Sequence, residues 1–173
     1  MKQKKNGFTI IELVIALFVL TVAVIGVYNA FSIMVVTTAQ MSDRFTAAYL
    51  AQEGIEIIRN MRDNNWLQGK PDWLDGLSGC ESGCQIDFMA GQTLTSYSDS
   101  GYLNIDSNGF YFYSAINPAP TKFKRKITIT PNGDHILKIA VAVFWEEKPT
   151  IVNIDFPVKP GSITAEDYLY NWY

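Results

Sequence analysis

The chain has 173 residues, 48% of them apolar, which suffices for one compact domain with an extension and excludes two full domains. Its formal charge of −3 is unevenly spread: Lys2, Lys4 and Lys5 crowd the first residues, and Glu12 is the only charge between Lys5 and Asp43.

In chain order, the first element is an uncharged run over residues 13–36. As a helix rising about 1.5 Å per residue it spans roughly 36 Å, enough to cross a bilayer. The lysines before it predict a cytoplasmic N-terminus with everything after the run outside. A secretory signal would have an apolar core of about 7–15 residues and then a small-residue cleavage site, and this longer run fits neither description. The run predicts a single N-terminal anchor.

At its cytoplasmic mouth stand Lys4-Lys5-Asn6-Gly7-Phe8-Thr9-Ile10-Ile11-Glu12-Leu13. Gly7 carries no side chain, so extended backbone there can lie close to a protease. Glu12 is unusual in an anchor, because an ionised group in hydrocarbon costs on the order of a few kcal/mol unless it is paired or reaches the surface. Its position one turn into the helix is also one where a carboxylate is favoured by roughly 0.3–1 kcal/mol.

A short basic leader ending in Gly7, then Phe8, Thr9, Glu12 and an unbroken apolar helix resembles the type IV prepilins. That resemblance implies cleavage by a prepilin peptidase between Gly7 and Phe8 and methylation of the new Phe8 amine. It also implies that Glu12 meets the amine of a neighbouring subunit during assembly. Loss of the leader takes the formal charge from −3 to −6. The implied function is a structural subunit of a type IV pilus or similar filament serving adhesion, motility or DNA uptake. A pseudopilin of a secretion or competence apparatus shares the same features, and a membrane-tethered binding module is the alternative of a different class. The implied partners are other pilin subunits, the peptidase, an inner-membrane assembly platform and, before assembly, lipid. Many members carry a proline in the outer half of the spanning helix; here no proline precedes Pro71, and Gly26 is the weak helix former in the run.

Past Val36, Met41, Phe45, Ala48, Ala51, Ile55 and Ile58 recur at intervals of three and four, so one helix is predicted over residues 8–64. Asn64, Asn65 and Gly69-Lys70-Pro71 are its expected stop. Residues 67–109, rich in Gly, Ser, Asp and Asn, predict a structured loop attached through Trp66, Trp73, Leu74 and Leu77. Strands are expected over residues 110–116, 122–130, 135–145 and 151–158, with Pro131-Asn132-Gly133-Asp134 as a hairpin turn. Ile139, Val141, Val143 and Trp145 share the face expected to cover the helix. The aromatic end, residues 168–173, is expected to dock on the head. The fold class is α+β and pilin-like: a long N-terminal helix whose outer half packs on a C-terminal antiparallel sheet. Its parts are a leader at 1–7, a membrane or filament-core helix at 8–36 and a head at 37–173. Asp106-Ser107-Asn108-Gly109-Phe110-Tyr111, Phe123-Lys124-Arg125-Lys126-Ile127 and Asn171-Trp172 are also similar to a subgroup of bacterial pilin-like proteins.

Cys80 and Cys84 fall in the part expected outside, where disulfides persist, and a bridge between them is the preferred reading over free thiols or zinc. Zinc needs about four ligands, and the single histidine, His135, lies at the hairpin turn. Asn104, Asp106, Asn108 and Gly109 imitate the start of a calcium loop, but position 12 of that loop is Ala115, so a polar turn is expected and no metal. Lys122, Lys124 and Lys126 share one strand face, with Arg125 opposite. They could hold nucleic-acid phosphates, but a solvated face that deters strand pairing suits the net negative charge better. Trp66 and Trp73 are read as core attachments before sugar platforms. Gly76-Leu77-Ser78-Gly79-Cys80 lacks the last glycine of a nucleophile elbow, so neither an enzyme nor a cofactor is expected.

Overall fold

The computed structural model describes residues 7, 9–89, 93–113, 119–133, 135–147 and 160–171. Its first element is one continuous helix, α1 (Ile10–Leu67), about 87 Å long at the usual rise. Both ends differ slightly from the expected 8–64. Thr9 takes an extended conformation as N-cap, so the helix begins after it. At the other end the paired asparagines do not stop it. Asn64 bonds to Asn60 one turn back, while the buried Asn65 amide donates to the Trp73 and Asp75 carbonyls at 3.0 and 2.8 Å. The helix instead closes at Gln68, ahead of Gly69 with φ +64°.

Seven strands follow: β1 (Cys84–Gln85), β2 (Thr95–Ser96), β3 (Asn104–Ile105), β4 (Tyr111–Phe112), β5 (Lys124–Pro131), β6 (Ile136–Glu146) and β7 (Pro160–Tyr170). Five form an antiparallel sheet in the order β2-β1-β5-β6-β7, and β3 pairs with β4 apart from it. The β5–β6 hairpin runs in register from Lys124 opposite Phe144 to Pro131 opposite Leu137. Pro131 thus ends a strand instead of opening the turn, which is shifted by one residue and closes through Asn132 N–H to Ile136 O at 2.8 Å, with Gly133 at φ +87°.

The structured loop contributes β1 and β2 to the main sheet. Of the strand expected at 110–116, Tyr111–Phe112 forms β4 and pairs back on β3; residues 114–116 lie outside the described residues, as does the strand expected at 151–158. The aromatic end is part of β7, paired with β6 along eleven residues; Trp172 and Tyr173 are outside the description.

The helix crosses β6 and β7 and touches β5. Ile139, Val141, Val143 and Trp145 are buried beneath it as the alternation predicts. The helical face that meets them is rotated from the expected one: Ala47, Leu50, Ala51, Gly54, Ile55, Ile58 and Met61 are covered, whereas Met41 and Phe45 are exposed. Gly54 sets the approach, because a Cβ there would stand 2.9 Å from Val141 Cγ1. Each large apolar side chain in this layer contributes about 1.5–3 kcal/mol by leaving water.

Four ion pairs latch helix to sheet. Asp43 meets Lys122 at 2.5 Å, Arg44 meets Glu147 at 3.7 Å, Glu53 meets Arg125 at 3.3 Å and Arg59 meets Asp167 at 2.8 Å. The hydrogen bond that Arg59 donates to the Asp167 carboxylate raises the Arg59 pKa above its ordinary value, against the opposing effect of burial.

Candidate processing and assembly site

Gly7 is exposed and outside the helix, with no atom within 4 Å of the place a Cβ would take. Phe8 lies outside the described residues. Thr9 and Glu12 form a capping box: Thr9 Oγ1 accepts from Glu12 N–H at 3.4 Å, and Glu12 Oε2 accepts from Thr9 N–H at 3.3 Å and from Thr9 Oγ1 at 3.2 Å. This reciprocal pattern satisfies amide donors at the start of the helix. Within its own chain Glu12 thus serves as the helix-start carboxylate of the capping box.

Beyond this cap, every large apolar side chain from Ile10 to Val35 that stands exposed is at least 47% so, and none of the described residues covers them. Hydroxyls in the run are satisfied internally: Thr21 donates to Phe18 O, Ser32 to Tyr28 O, Thr37 to Ile33 O and Thr38 to Met34 O, at 2.8–3.0 Å. In an apolar surrounding such back-bonding removes the cost of an unpaired hydroxyl. Among the described residues one helix is long and apolar enough to cross a membrane, and it is this one.

Cys80 and Cys84 are joined in a disulfide with their Cα atoms 5.3 Å apart, and both are buried. The bridge sits against the sheet. Cys84 pairs with Ile127 of β5, and Cys80 O accepts from Ile129 N–H at 3.2 Å. Closing so short a loop restricts the unfolded chain by about 2 kcal/mol. Cys80→Ser is expected to cost about that much and to leave the head folded, as checked by denaturant unfolding of the oxidised and reduced protein.

Lys124 and Lys126 lie on the sheet face away from the helix, opposite in phase to the helix-facing Arg125, whereas Lys122, ahead of β5, reaches the helix itself. Lys122 pairs with Asp43, Lys124 lies 4.6 Å from the Tyr102 ring centre, and Lys126 lies 5.5 Å from that of Tyr97. Asp106 is consumed by its own turn: its carboxylate accepts from Phe110 N–H and Asn108 N–H, both at 2.8 Å, bonds that lower its pKa. Among the described residues no group of three metal-binding side chains occurs. Trp66 and Trp73 stack 6.4 Å apart with Arg62 over Trp66, closing the end of the helix.

Three groups escaped sequence reasoning: Arg125, Asn65 and the Arg59–Asp167 pair. Arg125 is wholly buried and donates to Leu50 O at 3.0 Å and Ile86 O at 2.7 Å, tying helix, β5 and loop together. Its signal was parity, since it shares an alternating phase with Phe123, Ile127 and Ile129.

Residues 2–28 match the family model described as the prokaryotic N-terminal methylation motif. No curated protein and no solved structure matches the chain. With that motif, the type IV prepilin motif, running into a long apolar helix backed by an antiparallel sheet, the chain fits a pilin or pseudopilin precursor.

Proposed function

We propose that the chain is the precursor of a structural subunit of a type IV pilus-like filament. In this reading residues 1–7 are a leader removed by prepilin peptidase between Gly7 and Phe8, and the new amine is methylated. Residues 8–36 hold the subunit in the inner membrane with its N-terminus in the cytoplasm, and residues 37–173 form the exported head. An assembly platform then moves the helix from lipid into contact with other subunits.

The observation that carries this reading is the boundary at the helix start. An exposed glycine outside the helix stands two residues before the Thr9 cap, and the apolar helix that follows is left exposed by the described residues. The cap lies wholly on the retained side of the proposed cut, so cleavage would remove the basic leader and leave the helix intact. The arrangement then yields an apolar helix end, able to leave a bilayer that three lysines would otherwise hold it to.

Intact-mass analysis of subunit sheared from the cell surface tests it. The expected species begins at a methylated Phe8. Detection of chains starting only at Met1, or cut after residue 36, would show that the helix is a plain anchor or a cleaved signal.

A further inference from the structure

Two groups of large apolar side chains stand exposed on the head, on opposite flanks. The first runs along α1. Met41 is 55% exposed, Phe45 66% and Tyr49 69%, and their four-residue spacing aligns them on one face of the helix, away from the face the sheet covers. Tyr49 carries this stripe into a groove that it lines with Gln52, Glu56 and Arg59 of the helix and Glu166 and Asp167 of β7. The stripe thus belongs to the β7 flank.

The second group is a knob of Phe88, 49% exposed, Met89, 66%, and Phe110, 56%. The Phe88 and Phe110 rings meet with centres 5.4 Å apart. Phe88 follows β1 by three residues, and the strand order puts β1 three strands away from β7, beside the β2 edge at the other end of the sheet. The knob is held firmly: buried Asp87 accepts from Met89 N–H at 2.9 Å and from Tyr113 N–H at 2.6 Å, fastening together the two segments that carry it.

Lipid does not account for the stripe. At the helical rise, Phe45 lies roughly 14 Å and Tyr49 roughly 20 Å beyond Val36, outside the hydrocarbon that the span would occupy. Two separate patches also suggest how a partner would sit. A patch that meets a copy of itself closes at two subunits, whereas one patch meeting a different patch on the next copy repeats without closing, as a filament requires.

We infer that the Phe88–Met89–Phe110 knob of one subunit seats on the Phe45–Tyr49 stripe of a second copy of this chain. The inference rests on the filament reading above and names a head-to-head contact within it. Three side chains on each side fall well short of the roughly 800 Å² per partner of a standard interface, so the contact adds to helix packing and does not replace it. Methionine on both sides, Met41 and Met89, gives the surfaces room to adapt.

The test uses the full chain in a host that makes the filament. Tyr49→Cys and Met89→Cys are combined, sheared filaments are oxidised, and the subunits are run on non-reducing gels. The expected result is a ladder of dimers and higher multimers that neither single variant gives. Filaments that contain the double variant yet yield monomer alone, or dimer alone, overturn the contact. A photo-reactive residue in place of Tyr49 repeats the test without added thiols that could disturb the Cys80–Cys84 bridge. Adducts mapping to residues 88–89 or 110 support the contact, and adducts elsewhere overturn it. Wild-type subunit missing from sheared filaments is a different result: it defeats the filament reading, and this contact with it.

Discussion

Arg125→Met is expected to lower the stability of the head by about 3 kcal/mol. The guanidinium is fully enclosed, and its two terminal nitrogens reach Leu50 O in the middle of α1 and Ile86 O just past β1. Hydrogen bonds from a charged donor contribute about 1.5–3 kcal/mol each, and methionine supplies neither. The Leu50 carbonyl lies inside a regular helix, where it keeps a backbone partner, so its share is at the lower end. Ile86 O has the shorter bond and should account for more. The ion pair with Glu53 adds little, because that carboxylate is a third exposed and can turn toward water. For a chain of this size, 3 kcal/mol corresponds to a fall in Tm of roughly 10 °C. Thermal unfolding of detergent-solubilised protein, followed through the tryptophans in near-ultraviolet circular dichroism, measures it. Arg125→Lys should recover less than half, since one compact ammonium does not span both carbonyls as a planar fork does. A loss under about 1 kcal/mol for Arg125→Met would show that the cost of burying the guanidinium already cancels its bonds.

The same residue marks where the sequence stopped being legible. The N-terminal methylation motif, the long apolar helix, the hairpin and the helix-covering face of β6 were readable because each is local: a residue order, an uncharged run, a turn, an alternation. Arg125 sits between Lys124 and Lys126 and reads as one more surface charge, although its phase in the alternation is that of Phe123 and Ile127. What makes it a core residue is a pair of carbonyls 75 and 39 positions away in the chain. Strand β7 was hidden for a similar reason. Its inward positions are Gly161, Ile163, Ala165, Asp167 and Leu169, only two of them large and apolar. Asp167 can face inward because Arg59, 108 positions earlier, is there to meet it. An inward charge of this kind also discourages stray pairing at an edge strand.

Periodicity on α1 failed in a more instructive way. Met41 and Phe45 are apolar and helically spaced, as a core stripe would be, yet the sheet covers a face that keeps Ala51, Ile55 and Ile58 of the expected one and turns toward Ala47, Leu50 and Gly54. A 3.6-residue period reports that a face is apolar and leaves open what covers it. Small residues were the better guide to the sheet, because Ala47, Ala51 and Gly54 permit close approach, while the large residues Met41, Phe45 and Tyr49 stay exposed.

Glu12 is where two substitutions separate readings that one cannot. Glu12→Ala removes both the charge and the capping box, whereas Glu12→Gln removes the charge and retains an acceptor at the position where capping boxes use Glu or Gln interchangeably. If Glu12 only starts the helix, alanine costs about 0.5–2 kcal/mol and glutamine almost nothing. If the carboxylate also meets the Phe8 amine of a neighbour in an apolar filament core, either substitution strands that amine, and breaking such a buried pair costs about 3–5 kcal/mol. The larger figure exceeds the cap, so glutamine should behave like alanine in assembly. Both variants should still enter the membrane, where loss of the charge makes the lone subunit easier to hold. Both should still be cut after Gly7, which lies outside the helix. The expected outcome is normal, processed subunit in membranes and a drop of at least about a hundredfold in sheared filaments for Gln as well as Ala, since 1.4 kcal/mol corresponds to each factor of ten. Immunoblots of membrane and filament fractions from the native host measure it. Filament levels restored by Gln and lost only with Ala would assign Glu12 to the Thr9 capping box alone and remove it from subunit pairing.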